Sequence, residues 1–147
     1  VPMGEQFDLG GSFTYARHQY DFDNAVVGFS GPDTSSSISS GDDMDTAPRH
    51  LANIRLGWNY ALQSRAELEW VHVGSYYTDN GNENSYEGHD LLNLRVDYSV
   101  NNALNLYGRV TNLTDTKYAE RADTSRGDMR YFVGEERALH VGASYSF

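Results

Sequence analysis

Alternation with a period of two dominates this chain. From Leu51 to Tyr60, Ala52, Ile54, Leu56, Trp58 and Tyr60 are apolar, whereas Asn53, Arg55, Gly57 and Asn59 are not. Leu91 to Val100 repeats the pattern, with Leu92, Leu94, Val96, Tyr98 and Val100 set against Asn93, Arg95, Asp97 and Ser99. Leu139 to Phe147 repeats it again, with Leu139, Val141, Ala143, Tyr145 and Phe147 against His140, Gly142, Ser144 and Ser146. Successive side chains of a strand point to opposite faces, so alternation this long specifies strands and is out of phase with a helix. Three weaker runs join them. Phe7 to Phe22 alternates through Phe7, Leu9, Phe13 and Tyr15 and blurs near Arg17 and His18; Ala66, Leu68 and Trp70 alternate with Glu67 and Glu69; Leu104, Leu106 and Val110 alternate with Asn105 and Arg109. The fold class is all-β: an antiparallel up-and-down meander of about six long strands, near 5–22, 49–61, 65–77, 90–100, 103–113 and 138–147, with no helix longer than a turn.

The connections carry as much information as the strands. Only Ala61 to Arg65 separates the second strand from the third, and Asn101-Asn102, a tight-turn dipeptide, separates the fourth from the fifth. The other three gaps are long: Val26 to Arg49, rich in Gly, Ser and Asp; Thr78 to Asp90, rich in Asn and Gly; and Thr114 to Arg137, mixed and charged. Strict alternation of long and short connections gathers every long loop at one end of the meander. Transmembrane β-barrels have this plan, with short periplasmic turns and long extracellular loops. Strand length agrees, because about 9–11 residues of tilted strand cross a bilayer while globular strands cluster near 5–6. A soluble sandwich or small ligand-binding barrel, with the apolar face inward, produces the same alternation, since periodicity does not say which face points where.

Composition bears on that choice. The 147 residues include 21 Asp and Glu against 11 Lys and Arg, a net charge of −10, and the mean hydropathy is −0.62. The acidic balance argues against a nucleic-acid partner. The absence of cysteine excludes disulfides, thiol chemistry and thiolate-bound zinc. No apolar run reaches the length of a transmembrane helix, and Val1-Pro2-Met3-Gly4-Glu5 lacks the pattern of a signal peptide. Yet 13% of residues are aromatic, 11 of them Tyr, which is high for so hydrophilic a chain. Trp58, Tyr60, Tyr98, Tyr145 and Phe147 fall near the short-turn end, whereas Tyr76, Tyr77, Tyr86, Tyr118, Tyr131 and Phe132 fall near the long-loop end. Two aromatic belts around an aliphatic band are what a membrane interface selects.

The end of the chain adds a resemblance. The last strand closes on Tyr145-Ser146-Phe147, with apolar residues at every second position before it, and resembles the C-terminal assembly signal of bacterial outer-membrane barrels. Upstream, Val110-Thr111-Asn112-Leu113-Thr114-Asp115-Thr116-Lys117-Tyr118 resembles the Asn-Leu-aromatic/Thr-Asp-x-x-Tyr stretch of TonB-dependent outer-membrane receptors. The run Arg130-Tyr131-Phe132-Val133-Gly134-Glu135-Glu136-Arg137 resembles the segment those receptors carry before their last strand, with Val133 and Glu136 where relatives often have proline. The resemblance is strong over Asp90 to Phe147, looser back to Arg49, and before that rests on strand rhythm. It implies the C-terminal part of a receptor barrel of about 22 strands around a plug. It also implies import of a scarce nutrient, most notably a ferric siderophore, powered by TonB through the plug. Neither a plug nor a TonB-contacting segment is recognisable in the chain. Six strands fall short of the roughly eight of the smallest single-chain barrels, so two bare sheet edges would face lipid. The abrupt start at Val1 suits a fragment of a longer receptor, or one piece of a barrel completed by another chain; a stave in a small multi-chain barrel is a third possibility. Implied partners are outer-membrane lipid, the rest of the barrel and plug, TonB and the siderophore.

If the C-terminus lies in the periplasm, the three long loops are extracellular and face the substrate. Tyr76, Tyr77, Tyr86 and His89 in the second, with Arg121, Arg126, Arg130 and Tyr131 in the third, are the candidate substrate contacts. Arginine and aromatic rings together suit a planar, anionic siderophore. The same residues also suit an interface girdle and pairs with nearby acids or lipid phosphates. Asp33, Asp42, Asp43 and Asp45 cluster in the first loop but lack the spacing of a Ca²⁺ loop, and Ser/Gly/Asp mixtures read as solvated chain. His18, His50, His72, His89 and His140 share no metal-ligand spacing, with His72 and His140 expected to be structural or to face the lumen. Gly28-Phe29-Ser30-Gly31 lacks the second glycine of a nucleophile elbow. Asn112-Leu113-Thr114 matches a glycosylation acceptor by spacing alone. The residues assign no catalytic group, no metal site and no cofactor, and the chain is not read as an enzyme.

Overall fold

Six antiparallel strands, each hydrogen-bonded to the next in sequence, form the sheet seen in a computed structural model. It describes residues 1–25, 27–28, 31–32 and 37–147. The strands are β1 (Phe7–Tyr15), β2 (His50–Ala61), β3 (Ser64–Val73), β4 (His89–Ser99), β5 (Leu104–Thr111) and β6 (Ala138–Tyr145). A two-residue ribbon, Pro2–Met3, pairs with the outer side of β1 near Phe7. The order is a plain meander that does not close on itself, and no helix occurs among the described residues.

The register sorts the side chains into two chemically distinct faces. Across β1 and β2, Phe7 lies opposite Trp58, Leu9 opposite Leu56, and Phe13 opposite Ala52. The same face continues through Leu56–Leu68 and Ile54–Trp70, Leu68–Leu94 and Trp70–Leu92, Leu94–Val110, and Val110–Leu139 and Leu106–Ala143. Opposite residues share a face, so one aliphatic band runs across all six strands. This band is not a core: Leu139 is 70% exposed and Val141 76%.

The reverse face is polar and internally paired. Arg65 lies across Gly57 and grips the Asp8 carboxylate with both Nη atoms, at 2.6 and 2.9 Å, while Nη2 also donates to Glu67 at 3.2 Å. A Cβ at Gly57 would fall 1.9 Å from that guanidinium, so a side chain there would push Arg65 off its present position. Glu69 accepts from Asn53 Nδ2 at 2.7 Å and Asn93 Nδ2 at 3.0 Å, which joins three strands side by side. Charges of both signs that satisfy one another suit a water-filled or plugged lumen.

The short-turn end is built locally. Leu62 and Gln63 join β2 to β3, with Gln63 in the left-handed region at φ 53° and a register shift between Asn59 and Ala61, a turn-plus-bulge arrangement. Asn101 Oδ1 accepts from the amides of Ala103 and Leu104 at 2.8 and 2.9 Å, closing the turn into β5. Phe7 stacks on Trp58 with centroids 5.9 Å apart, and Tyr145 and Phe147 lie 6.5 Å apart at the same end.

Three expectations change. The first strand ends at Tyr15 instead of running from 5 to 22. Beyond Ala16, whose amide donates to the Arg49 carbonyl, the described residues pair through isolated bridges between Gln19 and Asp43 and between Asn24 and Ile38, and through the short ribbon of Val27–Gly28 with Gly31–Pro32. β3 stops at Val73, and Tyr76–Tyr77 pairs instead with Ser85–Tyr86 in a separate ribbon. Gly88, at φ 83° with a hypothetical Cβ 2.1 Å from the Val73 carbonyl oxygen, lets that ribbon re-enter β4. The outer aromatic belt also differs in membership. Phe13, Tyr15, Trp70, His50 and His72 form it, because the register places them on the apolar face at the long-loop end. His72 therefore faces away from the lumen, and Tyr76 and Tyr86 turn into the loops.

Candidate ligand-facing loop cluster

The best-buried groups of the described chain lie in the loops and not in the sheet. Tyr76, Thr78, Asp79, Asn112, Ala119, Ala122 and Asp123 are all buried, whereas in the six strands only Gly57 and Ser64 are. Three loops interlock to bury them. Asp43 and Asn82 bridge the first and second loops reciprocally: the Asp43 amide donates to Asn82 Oδ1, and Asn82 Nδ2 donates to the Asp43 carbonyl, both at 2.8 Å. Tyr20 donates to Asp45 or Asn80, and Thr46 N donates to the Tyr77 carbonyl at 2.8 Å. The second and third loops meet where Thr124 N donates to the Thr78 carbonyl at 2.7 Å and the two threonine hydroxyls lie 2.8 Å apart. Asp79 shapes the second loop from within, accepting from the amides of Glu83 and Asn84.

The third loop is not irregular throughout but contains a hairpin. Ala119–Ser125 pairs with Asp128–Val133 around Arg126 and Gly127, which have φ of 55° and 84°, the two positive angles of a type I′ turn. On one face of this hairpin sit Arg121, Asp123, Arg130 and Phe132. The buried Asp123 carboxylate binds Arg130 Nε at 2.7 Å and Arg121 Nη2 at 3.1 Å, and the Arg121 guanidinium lies 5.7 Å from the Phe132 ring centroid. Two guanidinium groups share one carboxylate, so this exposed face keeps a positive charge beside an aromatic ring.

The eight candidate contacts divide accordingly. Tyr76, Tyr86 and His89 pack inside the cluster. Tyr76 Oη accepts the Ala122 amide at 2.8 Å, and burial pushes its phenol pKa up. Tyr86 Oη accepts the Ala119 amide and shares a 3.1 Å hydrogen bond with His89 Nδ1, while the His89 ring lies 4.5 Å from that of Tyr118. Tyr77 lines a cleft of about 250 Å³ with Asp43, Arg49, Ser75 and Glu87. Arg121, Arg130 and Tyr131 are exposed on the hairpin, and Arg126 stands at its tip. Phe132, absent from the candidate set, completes the face with Arg121. Its signal was cross-strand pairing with Arg121, which no sequence period announces.

In the first loop, Asp42, Asp43 and Asp45 are engaged separately: Asp42 accepts the Ser39 amide, Asp43 pairs with Arg49, and Asp45 accepts from Tyr20. Asp33 and the Phe29-Ser30 pair lie outside the described residues. Asn112, the asparagine of the acceptor-like triplet, is only 3% exposed. Its Nδ2 donates to the carbonyls of Thr116 and Glu135, and its Oδ1 accepts the Thr116 amide, so the amide group is a structural clasp.

A sheet with an apolar outer face rimmed by aromatic rings, a salt-bridged polar face, tight turns at one end and an ordered loop body at the other is a segment of transmembrane β-barrel wall. A family model described as TonB dependent receptor-like, beta-barrel matches residues 4–113, and the chain belongs to that family of bacterial outer-membrane transport receptors. The matched span takes in the early strands, where rhythm alone had suggested the relationship, and stops before the hairpin and β6. No curated protein sequence matches. Among solved structures, the siderophore receptor PiuA from Acinetobacter baumannii is similar in fold, with a TM-score of 0.80 at 17% identity over 97% of this chain. The ferric-catecholate import receptor Fiu from Escherichia coli K12, in its closed form, gives 0.72 at 20% identity over 97%. The ferric yersiniabactin uptake receptor FyuA from Yersinia pestis gives 0.65 at 18% identity over 79%. The chain spans 20%, 19% and 19% of these receptors, respectively.

Proposed function

We propose that this chain is the C-terminal part of the barrel of a TonB-powered importer, and that its loop cluster belongs to the mouth that captures a ferric siderophore. The observation that carries the reading is the hairpin face of Arg121, Arg130 and Phe132 over the buried Asp123. Its guanidinium groups offer charge-assisted hydrogen bonds to an anionic chelate, and Phe132 and Tyr131 offer surfaces for stacking. Tyr76, Tyr86 and His89 serve this function indirectly, by holding the hairpin against the second loop; Tyr77 and Arg126 remain candidate contacts at the edges.

The test is ferric-siderophore binding by the intact receptor on cells. Replacing Arg121 and Arg130 together by alanine is expected to weaken binding by about 10- to 100-fold, from the loss of charged hydrogen bonds, at unchanged surface abundance. Unchanged binding would remove the hairpin from the capture site. Deleting the TonB partner is expected to stop uptake and leave binding intact. Tyr145 and Phe147 are proposed as the assembly signal, so removing Phe147 should sharply lower the amount of folded receptor in the outer membrane. Normal insertion of that variant would count against the assignment.

The alternative of a small soluble barrel with the apolar face inward finds no support in this sheet, which is open and buries no apolar face. Completion of the wall by strands of another chain is compatible with the two open edges, and co-purification of the barrel tests it.

A further inference from the structure

The apolar outer face is not uniformly filled. Near the long-loop end, across β1, β2 and β3, it dips into a groove of about 540 Å³. Gly11 and Ala52 provide a shallow floor, and Phe13, Ile54, Trp70 and His72 stand around it. The register explains the shape: the row Gly11–Ile54–Trp70 and the row Phe13–Ala52–His72 each place one small residue among large ones. The rim nearest the loops is polar. Asp90 Oδ1 accepts from Trp70 Nε1 at 3.0 Å and pairs with His72 Nδ1 at 2.8 Å. On the β1 side, the ring of His50 lies 5.1 Å from Tyr15 and 6.0 Å from Phe13.

We propose that this groove seats one acyl chain of an outer-leaflet lipid, with the lipid's ester or amide linkage at the His50–His72–Asp90 rim. The groove is continuous with the lipid-facing surface, so the occupant available to it is a lipid. Its walls are apolar and aromatic along their length, and polar only at the end where the carbonyl region of a leaflet begins. The His50 imidazole can donate an N–H to a linkage carbonyl, His72, whose Nδ1–H is held by Asp90, walls the groove, and the exposed Asp90 carboxylate can accept from an amide N–H or a hydroxyl. Within a bilayer, shape-matched packing rather than water exclusion sets the preference, and an open groove walled by Phe13, Ile54, Trp70 and His72 provides more contact to a chain than the flat band around it.

The test uses the intact receptor, extracted from vesicles containing lipid A, the ester- and amide-linked lipid of the outer leaflet, into mild detergent, with native mass spectrometry counting the lipids retained per barrel. Ala52→Phe fills the floor, and Ala52→Leu serves where the larger ring blocks assembly. Ala66→Phe adds the same bulk on the same face outside the groove, opposite Trp58 and Val96. One strongly retained lipid is expected in the parent and in Ala66→Phe, and about tenfold less retention when Ala52 is enlarged. His72→Ala is expected to lower retention while leaving the groove open. Equal retention in the parent and the Ala52 variants, or equal retention of a detergent molecule, would overturn the proposal. The proposal rests on the outward orientation of the apolar face. Failure of that orientation is distinguishable, because Leu68→Arg in mid-band would then be tolerated.

Discussion

Asn112 ties together three separate stretches of the chain. It sits at φ 49°, a left-handed conformation that asparagine adopts at lower cost than most residues. From there it clasps Thr116 and Glu135, and its own amide donates to Asn93 Oδ1 at 3.0 Å. Asp115 extends the clasp by accepting the Arg137 amide at 3.1 Å, so the end of β5 and the start of β6 are tied together. The motif that resembles the receptor family is thus a loop anchor and not a ligand site. Asn112→Ala removes both donors and the acceptor and forces alanine to a positive φ; it should cost about 2–4 kcal/mol. Asn112→Gly should recover the conformational part alone. Thermal unfolding of the reconstituted barrel measures both, and equal stability of Asn112→Ala and the parent would refute the anchor.

At the level of elements, the sheet and the loops are stabilised by different means. Strands β1 to β6 are held by ladder hydrogen bonds and await lipid on one face, whereas the loops bury their own polar and aromatic core around Thr78, Asp79 and Ala122. This predicts a separable response to alkali. Burial raises the phenol pKa of Tyr76 above its ordinary value near 10, and burial followed by the Asp45 hydrogen bond does the same for Tyr20. A raised folded-state pKa means stability that is complete below the unfolded value and is lost as pH climbs through the folded one. Protection factors, which divide out the base-catalysed exchange of the unfolded chain, should therefore fall in the second and third loops above pH 10 while β2, β3 and β4 keep theirs. Loss of protection at the same pH throughout would contradict two stabilising systems. Sequence rhythm revealed the six strands, because a face that alternates must be half-buried in something. It did not reveal the 119–133 hairpin, whose charges and alanines follow no apolar period and whose buried partners lie in another loop.

For the whole molecule, the decisive property is which face meets which medium. The apolar band is continuous over six strands and the polar face carries charges of both signs, several of them paired, an arrangement that places hydrocarbon outside and water or a plug inside. Leu68 lies in the middle of that band, opposite Leu56 and Leu94. Leu68→Arg should destabilise the assembled barrel by about 2–4 kcal/mol, the cost of a cation near mid-bilayer. Asn105→Arg, made separately on the polar face, should cost far less. Urea titrations of the barrel in vesicles compare the two, and equal cost would reverse the assignment of faces. The edges of β1 and β6 carry unpaired backbone groups, which further strands must satisfy before the wall can exist in lipid.

The sequence by itself determined the strand number, the antiparallel order and the clustering of long connections at one end. Each follows from local chemistry: period-two alternation, turn residues such as Asn101, and connection length. It also pointed through the 110–118 and 130–147 segments to an outer-membrane receptor, although the family match falls on 4–113. Only the tertiary structure decided which aromatic rings form the outer belt, where the first strand stops, and which candidate contacts remain exposed. Those outcomes depend on partners far apart in the chain: Tyr76 with Ala122, Asp43 with Asn82, Phe13 with Ala52 and His72. A residue's periodicity fixes the direction of its side chain along its own strand, but the register and the loop packing fix what it meets there.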